Sequence, residues 1–198
     1  MTLFTRPRRF VKTLNMSILK YFFDVRKREE NKALFNDLYI SKSEWMVKQG
    51  QHPVILVSFK DIKKSTWESS YEKIRRIISS LFKENIHIMS KLSPEEQREF
   101  DSYLKKDEKC PMDEALYVLS EYLTRYYGKK VILLIDEYDT PLIYAYENGY
   151  YDEAINFFRT LYGTALKGNK YLEKAVLTGL GRITTEIVDA HAAPFHYA

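Results

Sequence analysis

Apolar residues recur along the chain in two spacings. Short unbroken runs at 3–5, 53–59, 131–135 and 175–179 read as strands. The run Val131-Ile132-Leu133-Leu134-Ile135 has five apolar residues, three of them β-branched, the pattern of a strand buried on both faces of a parallel sheet. Between the runs the spacing turns helical. Leu14, Ile18, Leu19, Phe22 and Phe23 fall on one stripe, and short amphipathic helices are expected over 31–38 and 43–49, the latter closed by Gly50. Trp67, Tyr71, Ile74, Ile78 and Leu81 form the next stripe, behind a capping box of Ser65 and Glu68. Ser93-Pro94-Glu95-Glu96 starts another helix, 112–127 is a third ended by Gly128, and Asp152 is expected to cap one bearing Ile155, Phe158, Leu161, Tyr162 and Leu166, with Gly168 near its end. Strands alternating with helices predict an α/β fold with a parallel sheet and a helical insertion between the second and third strands.

Composition narrows this little. The chain of 198 residues is 45% hydrophobic and 29% charged, which suits one globular domain. Its net charge of +4 comes with 27 acidic residues and does not itself argue for nucleic acid. A lone Cys110 leaves no internal disulfide framework, and no stretch reaches the ~20 apolar residues of a membrane span, so the expected setting is cytoplasmic.

Polar residues at the strand ends carry the chemistry. Asp136 and Glu137 follow the run 131–135, and an unpaired buried carboxylate is costly, so the pair is expected at the carboxyl edge of the sheet. Far upstream, strand 3–5, a basic loop and a helix opened by Lys12-Thr13 follow in the order a phosphate-binding loop requires. A lysine, a hydroxyl and a strand ending in Asp-Glu are the polar parts of a phosphate–magnesium site. The loop departs from the Walker A pattern G-x-x-x-x-G-K-S/T twice, at Arg6 and at Val11, and Val11 matters more because a β-branched residue resists the conformation that glycine supplies there. Arg6, Arg8 and Arg9 read alone as a solvated basic turn or a nucleic-acid patch, while His52, His87, His191 and His196 fall in no metal-ligand pattern.

Arg-Pro-Arg-Arg-Phe-x-Lys-Thr-Leu-Asn-Met-Ser at 6–17, His-Pro-Val-Ile at 52–55 leading to Ser-Phe-Lys-Asp at 58–61, Leu-Leu-Ile-Asp-Glu-Tyr-Asp-Thr-Pro at 133–141, and Leu-Thr-Gly at 177–179 with Arg182 occur in this order. Together they resemble the bacterial AAA-ATPase-like family, whose members usually carry a PD-(D/E)XK nuclease-like region after the ATPase domain. The resemblance implies a three-layer P-loop NTPase core of the additional-strand type, with the Leu-Thr-Gly strand between the P-loop strand and the Asp-Glu strand. It implies a partial ATPase domain over 1–183 and a tail at 184–198 that leaves the family pattern, so that the chain reads as a fragment. ATP and Mg2+ are the implied ligands, with nucleic acid or protein as candidate partners and no membrane. Arg8, Arg9, Phe10 and Val11 would line the phosphate loop, Lys12 would contact the β- and γ-phosphates, and Thr13 and Asp136 would hold magnesium. Glu137 would polarise the attacking water, Thr178 would be a sensor, and Arg182 matches a family arginine. The implied activity is ATP hydrolysis weakened by Val11 and truncation; the alternative is a nucleotide-free remnant or interaction module that keeps the fold.

Overall fold

A computed structural model describes residues 1–5 and 12–180. Its sheet has four parallel strands, β1 (Thr2–Thr5), β2 (Val54–Ser58), β3 (Val131–Asp136) and β4 (Leu172–Gly179), in the spatial order β1-β4-β3-β2. The Leu-Thr-Gly strand therefore lies between the P-loop strand and the Asp-Glu strand. This is an α/β fold consistent with a P-loop NTPase core.

Alternation along the strands splits the apolar residues between two helical layers. Val54, Leu56, Ile132, Leu134 and Val176 meet helix α1 (Lys12–Phe23) on one face. Ile55, Val57, Leu133, Ile135, Ala175 and Leu177 join the larger core on the other. That core is closed by α3 (Trp67–Glu84), α4 (Pro94–Lys105) and α5 (Ala115–Tyr127), which form the insertion after β2 and the short α2 (Arg28–Ala33), and by α7 (Tyr151–Leu166) after α6 (Thr140–Asn148). Within the insertion Phe82 stacks on Tyr103 at 4.4 Å and meets Phe100 edge-on at 4.9 Å, joining α3 to α4.

Several local expectations are corrected. On α1, Leu14 and Ile18 point to solvent, 55% and 43% exposed, whereas Met16 is buried with Leu19 and Phe23 packed beside it. Lys12, Met16, Leu19 and Phe23 share a stripe at helical spacing, so aiming Lys12 inward turns Leu14 and Ile18 outward. Thr66, not Ser65, caps α3, accepting from the Ser69 N–H at 3.3 Å, because the helix starts one residue later than expected. Asp152 lies inside the first turn of α7, where its carboxylate complements the helix dipole without capping. Between α1 and β2 only 28–33 is α-helical, and Glu44–Lys48 is a 3-10 turn. Chain ties to the end of α1, Gly50 N–H to Phe22 O at 2.8 Å and His52 N–H to Phe23 O at 3.0 Å, hold this segment in place of helical continuity. The 112–127 helix begins at Ala115, and α6, with Pro141 in its first turn and Gly149 at φ +78° beyond its end, was not anticipated.

Candidate functional site

The carboxyl ends of β2, β3 and β4 bring three polar residues into line. Asp136 ends β3, and parallel register places Ser58 beside it on one flank and Thr178 on the other. The Asp136 side chain, in a residue only 1% exposed, accepts from Thr178 Oγ1 at 2.5 Å, from Thr13 Oγ1 at 2.9 Å and from Ser58 Oγ at 3.4 Å. Three hydroxyl donors thus offset the desolvation of one carboxylate.

Helix α1 brings the other half of the site. Its first residue, Lys12, is buried, and its ammonium donates to the Gly179 carbonyl at the end of β4 at 3.1 Å. Thr13, the next residue, reaches Asp136. The basic helix start and the acidic strand end therefore share one edge of the sheet, and the N-terminus of α1 brings its positive dipole end there.

Glu137 leaves β3 in the left-handed region, φ +53°, a conformation that costs an L-residue roughly 1–2 kcal/mol. The surroundings fix it. Its N–H approaches Thr178 Oγ1 at 3.4 Å, the next N–H, of Tyr138, donates to Thr178 O at 3.0 Å, and Tyr162 Oη donates to Tyr138 O at 2.9 Å. The turn swings the Glu137 carboxylate away from the Asp136 cluster, where Oε2 accepts from Thr140 Oγ1 at 2.9 Å at the start of α6. Gly179 lies tightly against this turn: a Cβ there would stand 2.5 Å from Tyr138 Cε1 and 2.8 Å from Asp139 Cγ. Asp139, fully buried, accepts from the Leu180 N–H at 2.7 Å and ties the turn to the end of β4.

The donor set fits a hard divalent cation. Among the described residues no three His, Cys, Asp or Glu side chains gather as a metal cage. Magnesium held together with substrate phosphates needs only one or two protein oxygens, and the Thr13 hydroxyl and Asp136 carboxylate are of that kind. Sequence reading named Lys12, Thr13, Asp136, Glu137 and Thr178; the structure places Lys12, Thr13, Asp136 and Thr178 together at this edge, while Glu137 joins them through its backbone N–H and turns its carboxylate to Thr140. Sequence reading assigned no role to Ser58, Thr140, Asp139 or Gly179. The signal for Ser58 was its place at the end of an apolar strand, like Thr178; Thr140 is three residues beyond Glu137, within reach once a helix starts there. Arg8, Arg9, Phe10, Val11 and Arg182, with His191 and His196, lie outside the described residues.

Compared with known proteins, residues 1–188 match the AAA-ATPase-like family described as Predicted AAA-ATPase. No curated protein and no solved structure matches. Among the described residues no helix is long and apolar enough to cross a membrane.

Proposed function

The chain belongs to the AAA-ATPase-like family, and from that membership and the carboxyl-edge site we propose that it binds ATP with magnesium and hydrolyses it. The observation that carries the reading is the meeting of Lys12 and Thr13, at the start of one helix, with Asp136 and Thr178, at the ends of two strands. In this role the Lys12 ammonium leaves the Gly179 carbonyl for the β- and γ-phosphate oxygens, and the N–H groups at the start of α1 turn toward the same charge. The Thr13 hydroxyl and Asp136 carboxylate, already bonded to each other, are the oxygens that would hold magnesium. Bound magnesium supplies neutralisation of the charge developing on the phosphate oxygens.

Glu137 is the base in this scheme. Its carboxylate accepts a proton from the attacking water and orients that water toward the γ-phosphate. Thr178 holds Asp136 by its hydroxyl and the Glu137 turn by its backbone, so it links the metal-holding residue to the base. Arg8, Arg9 and Arg182, outside the described residues, keep the roles that the family resemblance implies for them in this reading. A cytoplasmic setting suits the single Cys110, which is buried.

Because the Walker A pattern has glycine where this chain has Val11, we propose that Val11 weakens the site. Forcing a β-branched residue into an unfavourable backbone region costs about 1–3 kcal/mol, or roughly five- to 150-fold in affinity. The test is magnesium-dependent phosphate release by the wild-type protein and by Glu137→Gln. The expected result is release that is lost in the variant while nucleotide binding persists. Equal release from both proteins would remove Glu137 from the role of base.

A further inference from the structure

At the far end of α1, about 18 Å from Lys12 by the helical rise, a cavity of about 650 Å³ opens between α1, the 24–31 segment, the end of α3 and the end of α5. Its floor is rigid. The Arg26 guanidinium grips Asp24 through Nε at 2.9 Å and Nη2 at 2.6 Å, and reaches Asn85 Oδ1 at 3.2 Å and the Val54 carbonyl at 3.3 Å. Arg26 is thus engaged in holding the structure together.

The walls are aromatic. His87 Nε2 and Tyr127 Oη are hydrogen-bonded at 2.8 Å, Tyr126 meets Tyr127 edge-to-face at 4.8 Å, and His87 meets Tyr126 edge-to-face at 5.5 Å. Tyr126 and, on α1, Tyr21 remain 38% and 47% exposed. Accessible rings of this kind give a planar ligand a surface on which to stack.

One polar group in the lining is not used by the fold. Asn31 is 4% exposed and borders the cavity, and its amide makes no hydrogen bond to a described residue. What exposure the residue keeps is on the cavity side, so the amide is open to a ligand that enters there. A side-chain amide offers a donor and an acceptor side by side, the pairing that the N6/N7 edge of adenine completes with two hydrogen bonds. At the rim, the half-buried Lys20 lies 3.9 Å from Glu84 and the exposed Lys27 lies 3.3 Å from Glu30, surface pairs of the kind that contribute little and can yield to a phosphate.

We propose that this cavity is a second nucleotide site, taking an adenine nucleotide whose base stacks on the tyrosines and pairs with Asn31, and whose phosphate meets Lys20 and Lys27. The site is separate from the carboxyl edge and does not rest on the ATPase reading. The same chemistry is offered by a free nucleotide and by an adenine within a single strand.

The test is NMR of the His and Tyr ring signals during titration with AMP without magnesium, so that neither a γ-phosphate nor a metal favours the carboxyl edge. The expected result is saturable shifts of the His87, Tyr126 and Tyr127 rings. Asn31→Ala should weaken binding about tenfold, and Tyr126→Ala about fivefold or more. Melting temperatures of Asn31→Ala and the parent are compared, and Asn31→Asp, which keeps the packing and loses the amide donor, should weaken AMP binding as well, so that a loss of binding is not ascribed to unfolding. A short oligo(dA) that binds more tightly than AMP assigns the site to single strands; no gain assigns it to free nucleotide. Absence of saturable ring shifts, an unchanged affinity in Asn31→Ala, or binding of benzoate as tight as that of AMP would overturn the proposal.

Discussion

Thr13 and Asp136, 123 residues apart in sequence, share a hydrogen bond of 2.9 Å at the carboxyl edge of the sheet. The bond joins the second residue of a helix to the last residue of a strand: β4 lies between β1 and β3 in the sheet, and α1 packs across β3 and β2. If both oxygens hold magnesium, Thr13→Ala should lower nucleotide affinity in the presence of magnesium and change it little in the presence of a chelator. Titration under both conditions checks this. An equal loss in both would mean that Thr13 acts on the fold and not through the metal.

Val11→Gly should strengthen ATP binding by roughly five- to 150-fold, the range that backbone strain of about 1–3 kcal/mol implies. Isothermal titration of the two proteins decides. Equal affinities would show that the loop accommodates valine without cost.

Gly179→Ala should destabilise the protein by about 1–3 kcal/mol through overpacking. Its methyl would stand 2.5 Å from Tyr138 Cε1 and 2.8 Å from Asp139. Because those residues shape the Glu137 turn, turnover should fall as well. Urea denaturation reads the stability, and an unchanged midpoint would show that the turn moves aside freely.

Away from the site, Glu96 gives a pH dependence. Its carboxylate accepts from Arg125, its largest influence, and from the Ser93 N–H at 2.8 Å in the capping box of α4, which lowers its pKa from 4.5 to about 2. A depressed carboxylate stabilises the fold above its unfolded value, and that contribution fades as pH falls through the folded value. The stability gap between wild type and Glu96→Gln should therefore be constant above pH 4.5 and close between 4.5 and about 2. Denaturation curves of the two proteins across that range test it; a gap that does not depend on pH would assign the loss to capping geometry alone.

Much of this was legible in the sequence because strand and site signals coincide. The run 131–135 had to be buried on both faces, which fixed Asp136 at its open end, and Lys12-Thr13 at a helix start required the same edge. The order of strands came from the resemblance and not from periodicity, since apolar runs do not state their neighbours. Periodicity also failed on α1. Its apolar residues outnumber the positions of one face, and the sheet selected Met16, Leu19 and Phe23 over Leu14 and Ile18 because Lys12 had to point inward. The left-handed turn at Glu137 was invisible for a different reason: it is imposed by Thr178, Tyr162 and Gly179, all distant in sequence, on a residue with no local preference for it. Asn31 gave no warning either, because an asparagine in a short helix is ordinarily solvated.

In the proposed function the Lys12–Asp136 edge binds a magnesium nucleotide. Titration of the wild-type protein with a fluorescent ATP analogue, with and without magnesium, tests it most directly, with Asp136→Asn run in parallel. The phosphate–magnesium reading predicts saturable binding that magnesium strengthens in the wild type and does not strengthen in Asp136→Asn. Binding to the wild type that is absent, or indifferent to magnesium, would contradict it.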